Sequence, residues 1–126
     1  ASSGAGREAG SKPLTSAREA EILKQFVTKY SRELGIDEIR TEYSLGRRSA
    51  DVLFHTSDCT WWVCEVEEEL NYAAVGQALL YKALLYRLRG VWARAAVICL
   101  RAPRDLLEAC RVDPGVEVFV LGERNP

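Results

Sequence analysis

A strand pattern, a long helix pattern and a second strand pattern follow one another in the middle of the chain, and they constrain its fold most. Residues Trp61 to Glu67 are apolar apart from Glu65 and Glu67, and they predict a strand. A helix is predicted from Asn71 or Tyr72 to about Arg89, with Gly90 ending it. Ala95 to Leu100 is a continuous apolar run, typical of a buried strand. A helix of this length between two strands predicts a right-handed crossover and a mixed sheet flanked by helices on both faces.

The remaining segments complete an α/β domain with the element order α-β-β-β-α-β-α-β. A first helix is predicted from Ser16, which forms a capping box with Glu19. The short polar link from His55 to Cys59 predicts that the second and third strands pair as a hairpin. The other predicted elements are strands Ile39 to Tyr43 and Ser49 to Phe54 with a turn at Gly46 between them, a helix from Pro103 to about Cys110, and a strand Val116 to Leu121.

The length of 126 residues fits one domain, predicted for residues 15–126, after a flexible tail of residues 1–14. No apolar run approaches the ~20 residues that span a bilayer, and the start lacks a signal peptide, so we expect a cytoplasmic protein without a membrane partner. The four cysteines lack the spacing of a zinc site. The net charge of −1 neither indicates nor excludes a nucleic-acid partner.

Three carboxylates stand out from this apolar background. Glu65 and Glu67 point to the same side of the third strand, and Asp51 lies in an apolar stretch of the second strand. The hairpin between these strands would bring Asp51 close to Glu65. Two carboxylates ~5 Å apart repel by roughly 3 kcal/mol at an effective dielectric near 20. A divalent cation removes this penalty, and Mg²⁺ or Mn²⁺ prefers oxygen ligands. The alternative for Glu67 is a solvated acidic run with Glu68 and Glu69.

Three sequence motifs in this order resemble the PD-(D/E)xK superfamily of restriction-endonuclease-like nucleases. They are Ser49 to Leu53 (SADVL), Trp62 to Glu67 (WVCEVE) and Gly76 to Lys82 (GQALLYK). The element order agrees, and the resemblance spans roughly Ser16 to Leu121. The helical Gln77-x-x-x-Tyr81 pattern is similar to that of RecB-like nucleases and of the C-terminal domain of archaeal NucS-type endonucleases.

The resemblance implies a role for individual residues. Asp51 and Glu65 would be metal ligands, and Glu19 stands where some relatives carry a further acidic ligand, although its capping role is the alternative. Gln77 and Tyr81 would border the site or contact the DNA backbone, the alternative being ordinary helix packing. Lys82 and Arg48 are further candidates for binding the substrate. At the position of the family's lysine, which orients or activates the attacking water, this chain has Glu67, so we count Glu67 with Asp51 and Glu65 as catalytic.

These features predict a Mg²⁺- or Mn²⁺-dependent deoxyribonuclease of repair, recombination or defence. Because no base-reading module is evident, we expect recognition of DNA structure or of DNA ends. The alternative is a catalytically inactive subunit with a nuclease fold that binds DNA or a protein partner. A third possibility is a small dimeric module, since Trp61, Trp62 and Trp92 are many large aromatic residues for this length.

Overall fold

The computed structural model describes residues 17–113 and 115–122, and its elements follow the predicted order. The predicted tail of residues 1–14 and the capping residue Ser16 lie outside the described residues. The elements are α1 (Ala17–Leu34), β1 (Ile36–Leu45), β2 (Arg48–Thr56), β3 (Thr60–Glu69), α2 (Tyr72–Arg89), β4 (Ala93–Arg101), α3 (Arg104–Val112) and β5 (Val116–Val120).

The five strands form one mixed sheet with the spatial order β1-β2-β3-β4-β5. Strands β1, β2 and β3 pair antiparallel, as expected for segments joined by short turns. Strands β3, β4 and β5 pair parallel, and α2 and α3 make the connections between them. The central strand β3 therefore joins an antiparallel half of the sheet to a parallel half, which confirms the mixed sheet predicted from the sequence.

Each face of the sheet is covered by helix. Helix α1 buries Ile22 and Phe26 against one face, where Phe26 contacts Phe54 and Phe119 with ring centroids 5.6 and 5.1 Å apart. Helices α2 and α3 cover the other face, where α2 buries Tyr81. Because side chains alternate along a strand, β3 directs Val63 towards α2 and Cys64 towards α1, and both are fully buried.

Helix α2 begins and ends where the sequence predicts. The side chain of Asn71 accepts a hydrogen bond of 2.8 Å from the backbone N–H of Ala74, which satisfies one of the free donors of the first turn. Gly90 adopts the left-handed conformation (φ 70°) and donates its N–H to the carbonyl of Tyr86 at 2.8 Å. These two caps fix the length of the crossover between β3 and β4.

Several strands are longer than predicted. Strand β1 covers Ile36–Leu45 instead of 39–43, and β4 covers Ala93–Arg101 instead of 95–100. The added residues include exposed and charged side chains, which pattern alone assigns to loops, while backbone pairing with the neighbouring strand holds them in the sheet. Within the described ranges, no helix is long and apolar enough to cross a membrane.

Candidate active site

Asp51 and Glu65 face each other at the point where the hydrogen-bonded ladder between β2 and β3 ends. The last ladder pair on this side is Val52 with Cys64, so the next position places Asp51 opposite Glu65. Oδ2 of Asp51 accepts a hydrogen bond of 2.9 Å from the backbone N–H of Val66. Oε2 of Glu65 accepts one of 3.2 Å from the backbone N–H of Asp51. The two carboxylates thus accept backbone hydrogen bonds of the neighbouring strand where the backbone pairing stops. The structure brings together the pair that the sequence predicted.

Burial and neighbouring negative charges make both carboxyls hard to ionise. Glu65 is only 4 % exposed, and burial, followed by the negative charge of Asp51, raises its pKa to about 9. Burial raises the pKa of Asp51 to about 7, against the opposing hydrogen bond from Val66. The charges of Glu19, Glu42 and Glu67 raise the pKa of Asp51 further. A cation bound between them would stabilise the ionised forms and lower both pKa values.

Glu67 differs from the two glutamates that follow it. Glu68 and Glu69 are exposed and form ion pairs with Arg18 at 2.6 Å and Arg101 at 3.6 Å. Glu67 is half-buried, and burial and the charge of Glu19 raise its pKa, while a hydrogen bond from Asn71 lowers it. Glu68 and Glu69 therefore form the solvated acidic run that was the alternative for Glu67. Glu67 itself lies between the surface and the Asp51–Glu65 pair.

A cavity of about 460 Å³ opens beside Glu67. It is lined by Arg18, Glu19, Glu67, Glu68, Glu69, Asn71 and Arg101. Glu19 comes from α1 and lines the cavity together with Glu67, and its charge raises the pKa of both Asp51 and Glu67. The structure therefore places Glu19 with the three predicted carboxylates, while the Ser16 half of its capping box lies outside the described residues.

Glu42 is an acidic neighbour that the sequence analysis missed. The two-residue turn Gly46–Arg47 pairs Tyr43 with Ala50 and Thr41 with Val52, which places Glu42 opposite Asp51. Glu42 has φ 50°, and its carboxylate accepts a hydrogen bond of 3.4 Å from the Ser49 hydroxyl. Counting outward from the turn would have found this residue, because a two-residue hairpin turn fixes the register of both strands.

Tyr81 connects α2 to the carboxylate pair. It is 3 % exposed and belongs to the core on this face, so the packing alternative holds for its ring. Burial and then the charge of Glu65 raise the pKa of its hydroxyl, while the charge and a hydrogen bond of Arg48 lower it. The hydroxyl therefore lies between Glu65 and the guanidinium of Arg48, which extends from the start of β2.

The two other residues of α2 that the sequence predicts to bind substrate, Gln77 and Lys82, are less buried than Tyr81. Gln77 is half-buried one helical turn before Tyr81, and so lies on the same side of the helix. Lys82 is half-buried as well, but it follows Tyr81 directly and points about 100° away around the helix. Of the two, Gln77 is oriented towards the side that carries Tyr81.

The donor set consists of carboxylate oxygens, which suits Mg²⁺ or Mn²⁺ better than zinc. Across residues 17–113 and 115–122, no group of three or more His, Cys, Asp or Glu side chains is arranged to hold a metal ion. Mg²⁺ is commonly held by one or two protein carboxylates together with water and substrate phosphates. Asp51 and Glu65 fit this pattern, with Glu19 and Glu67 close enough to act on their charge.

Comparisons with known proteins give matches only among solved structures. No family model and no curated protein matches the sequence. A repair endonuclease from Pyrococcus abyssi matches with a TM-score of 0.61 and 22% identity over 90% of this chain. The structure of an EndoMS–dsDNA2 complex matches with a TM-score of 0.64 and 20% identity over 95% of this chain. The chain shares the fold of these endonucleases.

EndoMS in its apo form also matches, with a TM-score of 0.58, 19% identity and 85% of this chain covered. The mixed five-stranded sheet and the order α-β-β-β-α-β-α-β agree with these structures, which confirms the predicted restriction-endonuclease-like fold. The chain spans about half the length of the matched proteins, namely 50%, 51% and 47% of their chains. The likeness establishes the architecture on which the carboxylates are displayed.

Proposed function

We propose that this chain is a metal-dependent nuclease that hydrolyses phosphodiester bonds in DNA, in repair, recombination or defence. One observation carries the proposal. Two buried carboxylates, Asp51 and Glu65, converge from adjacent strands of a sheet that has the architecture of repair endonucleases. Their raised pKa values show that holding both charges there is costly, and a divalent cation would reverse that cost.

Asp51 and Glu65 would hold Mg²⁺ or Mn²⁺, with Glu19 as a further ligand. Such an ion, when bound, polarises a phosphate and lowers the pKa of water. Glu67 would orient the attacking water and accept its proton. Its raised pKa suits this role, because a general base acts best when its pKa lies nearer the working pH.

DNA would be held by residues on the α2 side of the site. Tyr81 of α2 and Arg48 of β2 meet at the carboxylate pair. Gln77 and Lys82 also lie on α2. One of the matched structures is a complex with double-stranded DNA, which supports DNA as the substrate. Contacts from guanidinium and hydroxyl groups to phosphate oxygens carry no sequence information, so we propose recognition of DNA structure or DNA ends.

Cleavage assays with labelled duplex, branched and single-stranded DNA test this function directly. We expect hydrolysis in Mn²⁺ or Mg²⁺ of at least one branched or end-containing substrate, and none in EDTA. Binding of Mn²⁺ should also raise the melting temperature. If every substrate stays intact and Mn²⁺ leaves the melting temperature unchanged, the chain is not a metal-dependent nuclease.

Replacing Arg48 by alanine should weaken DNA binding by at least about tenfold, since a charge-assisted hydrogen bond is worth roughly 1.5–3 kcal/mol. The slope of log affinity against log salt concentration should decrease by about 1, because one phosphate contact is lost. Fluorescence anisotropy with a labelled duplex in EDTA measures both quantities. Arg111→Ala is the matched control, since Arg111 pairs with Glu108 on α3. Equal effects of the two substitutions would remove Arg48 from the DNA interface.

An inactive subunit that binds DNA or protein is the second candidate function. It is favoured by one observation, namely that Glu67 stands where the PD-(D/E)xK pattern that this sequence resembles has a lysine. If Glu67 accepts the proton of water, Glu67→Lys should lower cleavage about 100-fold at neutral pH, as expected for loss of a general base. Single-turnover cleavage measures this, with Glu68→Lys as the control at an exposed neighbour. A gain of cleavage in Glu67→Lys would instead identify the natural chain as an impaired nuclease.

A further inference from the structure

The outer side of α2 is unusually apolar. Eight large hydrophobic side chains are exposed among the described residues, and six of them lie on α2 or directly after it. They are Tyr72, Leu79, Leu80, Tyr86, Leu88 and Trp92. The exposed fractions of Tyr72 and Trp92 are 80% and 70%, and Trp92 stacks on Tyr86 with ring centroids 4.1 Å apart. Such a concentration of exposed apolar side chains on one element is typical of an interaction surface.

Three of these residues, Tyr72, Leu79 and Tyr86, share a stripe opposite the core with the small residues Gly76 and Ala83. At 100° per residue, Tyr72, Gly76, Leu79, Ala83 and Tyr86 fall within about 80° of one another around the helix axis. We call these five residues the outer stripe. The side chains that α2 buries lie on the opposite side, and they are Ala74, Ala78, Tyr81 and Leu85. A helix that is apolar on both sides is typical of one that is packed on both sides.

The residues of this surface pair with one another about the midpoint between Leu79 and Leu80, two leucines with each other and two small residues with each other. Gly76 and Ala83 lie at equal distances from that midpoint, and so do Tyr72 and Arg87. If a second α2 lies antiparallel across the first, Leu79 meets Leu80 of the partner subunit, and Gly76 meets Ala83 of the partner subunit. Such self-complementarity is the property that a two-fold symmetric interface requires.

Small residues at the crossing points allow the two helices to approach closely. A Cβ added to Gly76 would meet no atom within 4 Å, so the space outside this residue is open. Glycine in an exposed helix interior costs about 1 kcal/mol relative to alanine. Close packing of a second helix backbone against Gly76 and Ala83 would offset that cost.

The charges on α2 suit the antiparallel arrangement. The helix carries Lys82, Arg87 and Arg89 and no acidic residue. The symmetric pairing places Arg87 beside the exposed ring of Tyr72 of the partner subunit, where a guanidinium is attracted to the aromatic face. A parallel pairing would instead place the two Arg87 side chains beside each other, which is repulsive.

The exposed aromatic side chains supply about half of the area that each partner buries in a stable dimer. With 150–250 Å² per aromatic side chain, Tyr72, Tyr86 and Trp92 together expose roughly 400 Å². This is about half of the ~800 Å² that each partner buries in a standard interface, and Leu79, Leu80 and the stem of Arg87 add to it. We infer that the outer stripe of α2 pairs two copies of this chain in an antiparallel, two-fold symmetric dimer.

Sedimentation velocity of the wild type from about 1 µM to about 200 µM tests the dimer. We expect a dimer whose dissociation constant rises at least about 30-fold in Leu79→Glu, because the charge falls at the centre of the interface. Val112→Glu is the matched control, since Val112 is an exposed apolar residue (81%) outside α2. A wild type that stays monomeric at 200 µM, or a dimer that Leu79→Glu leaves intact, overturns the inference.

Single cysteines test the orientation of the two helices. In a Cys59→Ser background, which removes the exposed native thiol, Leu79→Cys should form a disulfide-linked dimer under mild oxidation. Tyr86→Cys should not, because antiparallel pairing separates the two positions by about 20 Å along the helices. Crosslinking of Tyr86→Cys, or none at Leu79→Cys, contradicts the antiparallel arrangement. Circular dichroism of each variant confirms folding, and these outcomes do not depend on whether the chain cleaves DNA.

Discussion

Replacing Glu65 by glutamine should abolish DNA cleavage and at the same time make the metal-free protein more resistant to heat. The amide keeps an oxygen that accepts the hydrogen bond from the backbone N–H of Asp51, so the local structure is preserved. It removes a carboxyl that the folded state keeps protonated, with its pKa raised to about 9, while the unfolded chain ionises it, so the folded state no longer carries that cost. Asp51→Asn should act in the same direction, because its side-chain oxygen still accepts from Val66.

The expected loss of cleavage is at least about 100-fold, since even residues that only support a metal ligand cost 10- to 100-fold when replaced. The expected gain in stability at pH 8 is about 1 kcal/mol or more, which corresponds to a rise in melting temperature of about 3–5 °C. Single-turnover kinetics and thermal unfolding measure the two effects. Glu68→Gln, an exposed neighbour in an ion pair with Arg18, is the control and should change neither by much. Cleavage that survives both substitutions would remove the pair from the chemistry.

The stability of the metal-free protein should fall as the pH rises from about 5 to about 9. The unfolded chain has ordinary carboxyl pKa values near 4, whereas the folded values are about 7 for Asp51 and about 9 for Glu65. Between these limits the folded state binds more protons than the unfolded state, so the free energy of unfolding decreases with pH. The loss begins above the unfolded pKa values and levels off above about pH 9.

We expect a decrease of about 2–4 kcal/mol between pH 5 and pH 8, and so a fall in melting temperature on the order of 10 °C. Mn²⁺ should restore most of this loss at pH 8 and have little effect at pH 5, where protons compete for the same oxygens. Thermal unfolding of wild type and Glu65→Gln in EDTA or Mn²⁺ measures it. The variant should show a flatter pH dependence and no Mn²⁺ response. Identical pH profiles for the two proteins would show that Glu65 ionises normally.

Helix α2 and the carboxylate pair could be predicted because local signals determine them. Asn71 and Gly90 cap the helix through contacts with their own neighbours in sequence. The alternation along β3 and the short link to β2 are enough to place Asp51 opposite Glu65. Strand ends were less accurate, because pairing with a neighbouring strand holds residues such as Arg101 whose side chains give no strand signal.

Features that depend on packing between distant segments could not be predicted in detail. The meeting of Arg48 with the hydroxyl of Tyr81 joins β2 to α2 and follows from how the helix rests on the sheet. The approach of Glu19 to Asp51 depends likewise on the placement of α1. The position of Glu42 opposite Asp51 could have been predicted, since the two-residue turn alone sets the register of β1 and β2. The exposed stripe on α2 depends on which side of the helix packs against the sheet, and a helix that is apolar on both sides does not show that side in its sequence.

Strand β3 is hydrogen-bonded to β2 on one side and to β4 on the other, and it carries Glu65 and Glu67. Catalytic groups displayed on mobile loops can be lost by local opening long before a protein denatures. Here such opening would have to separate the middle of the sheet, which amounts to dismantling the domain. In a urea titration, the capacity to bind Mn²⁺ should therefore disappear together with the helical circular dichroism signal, in a single cooperative transition.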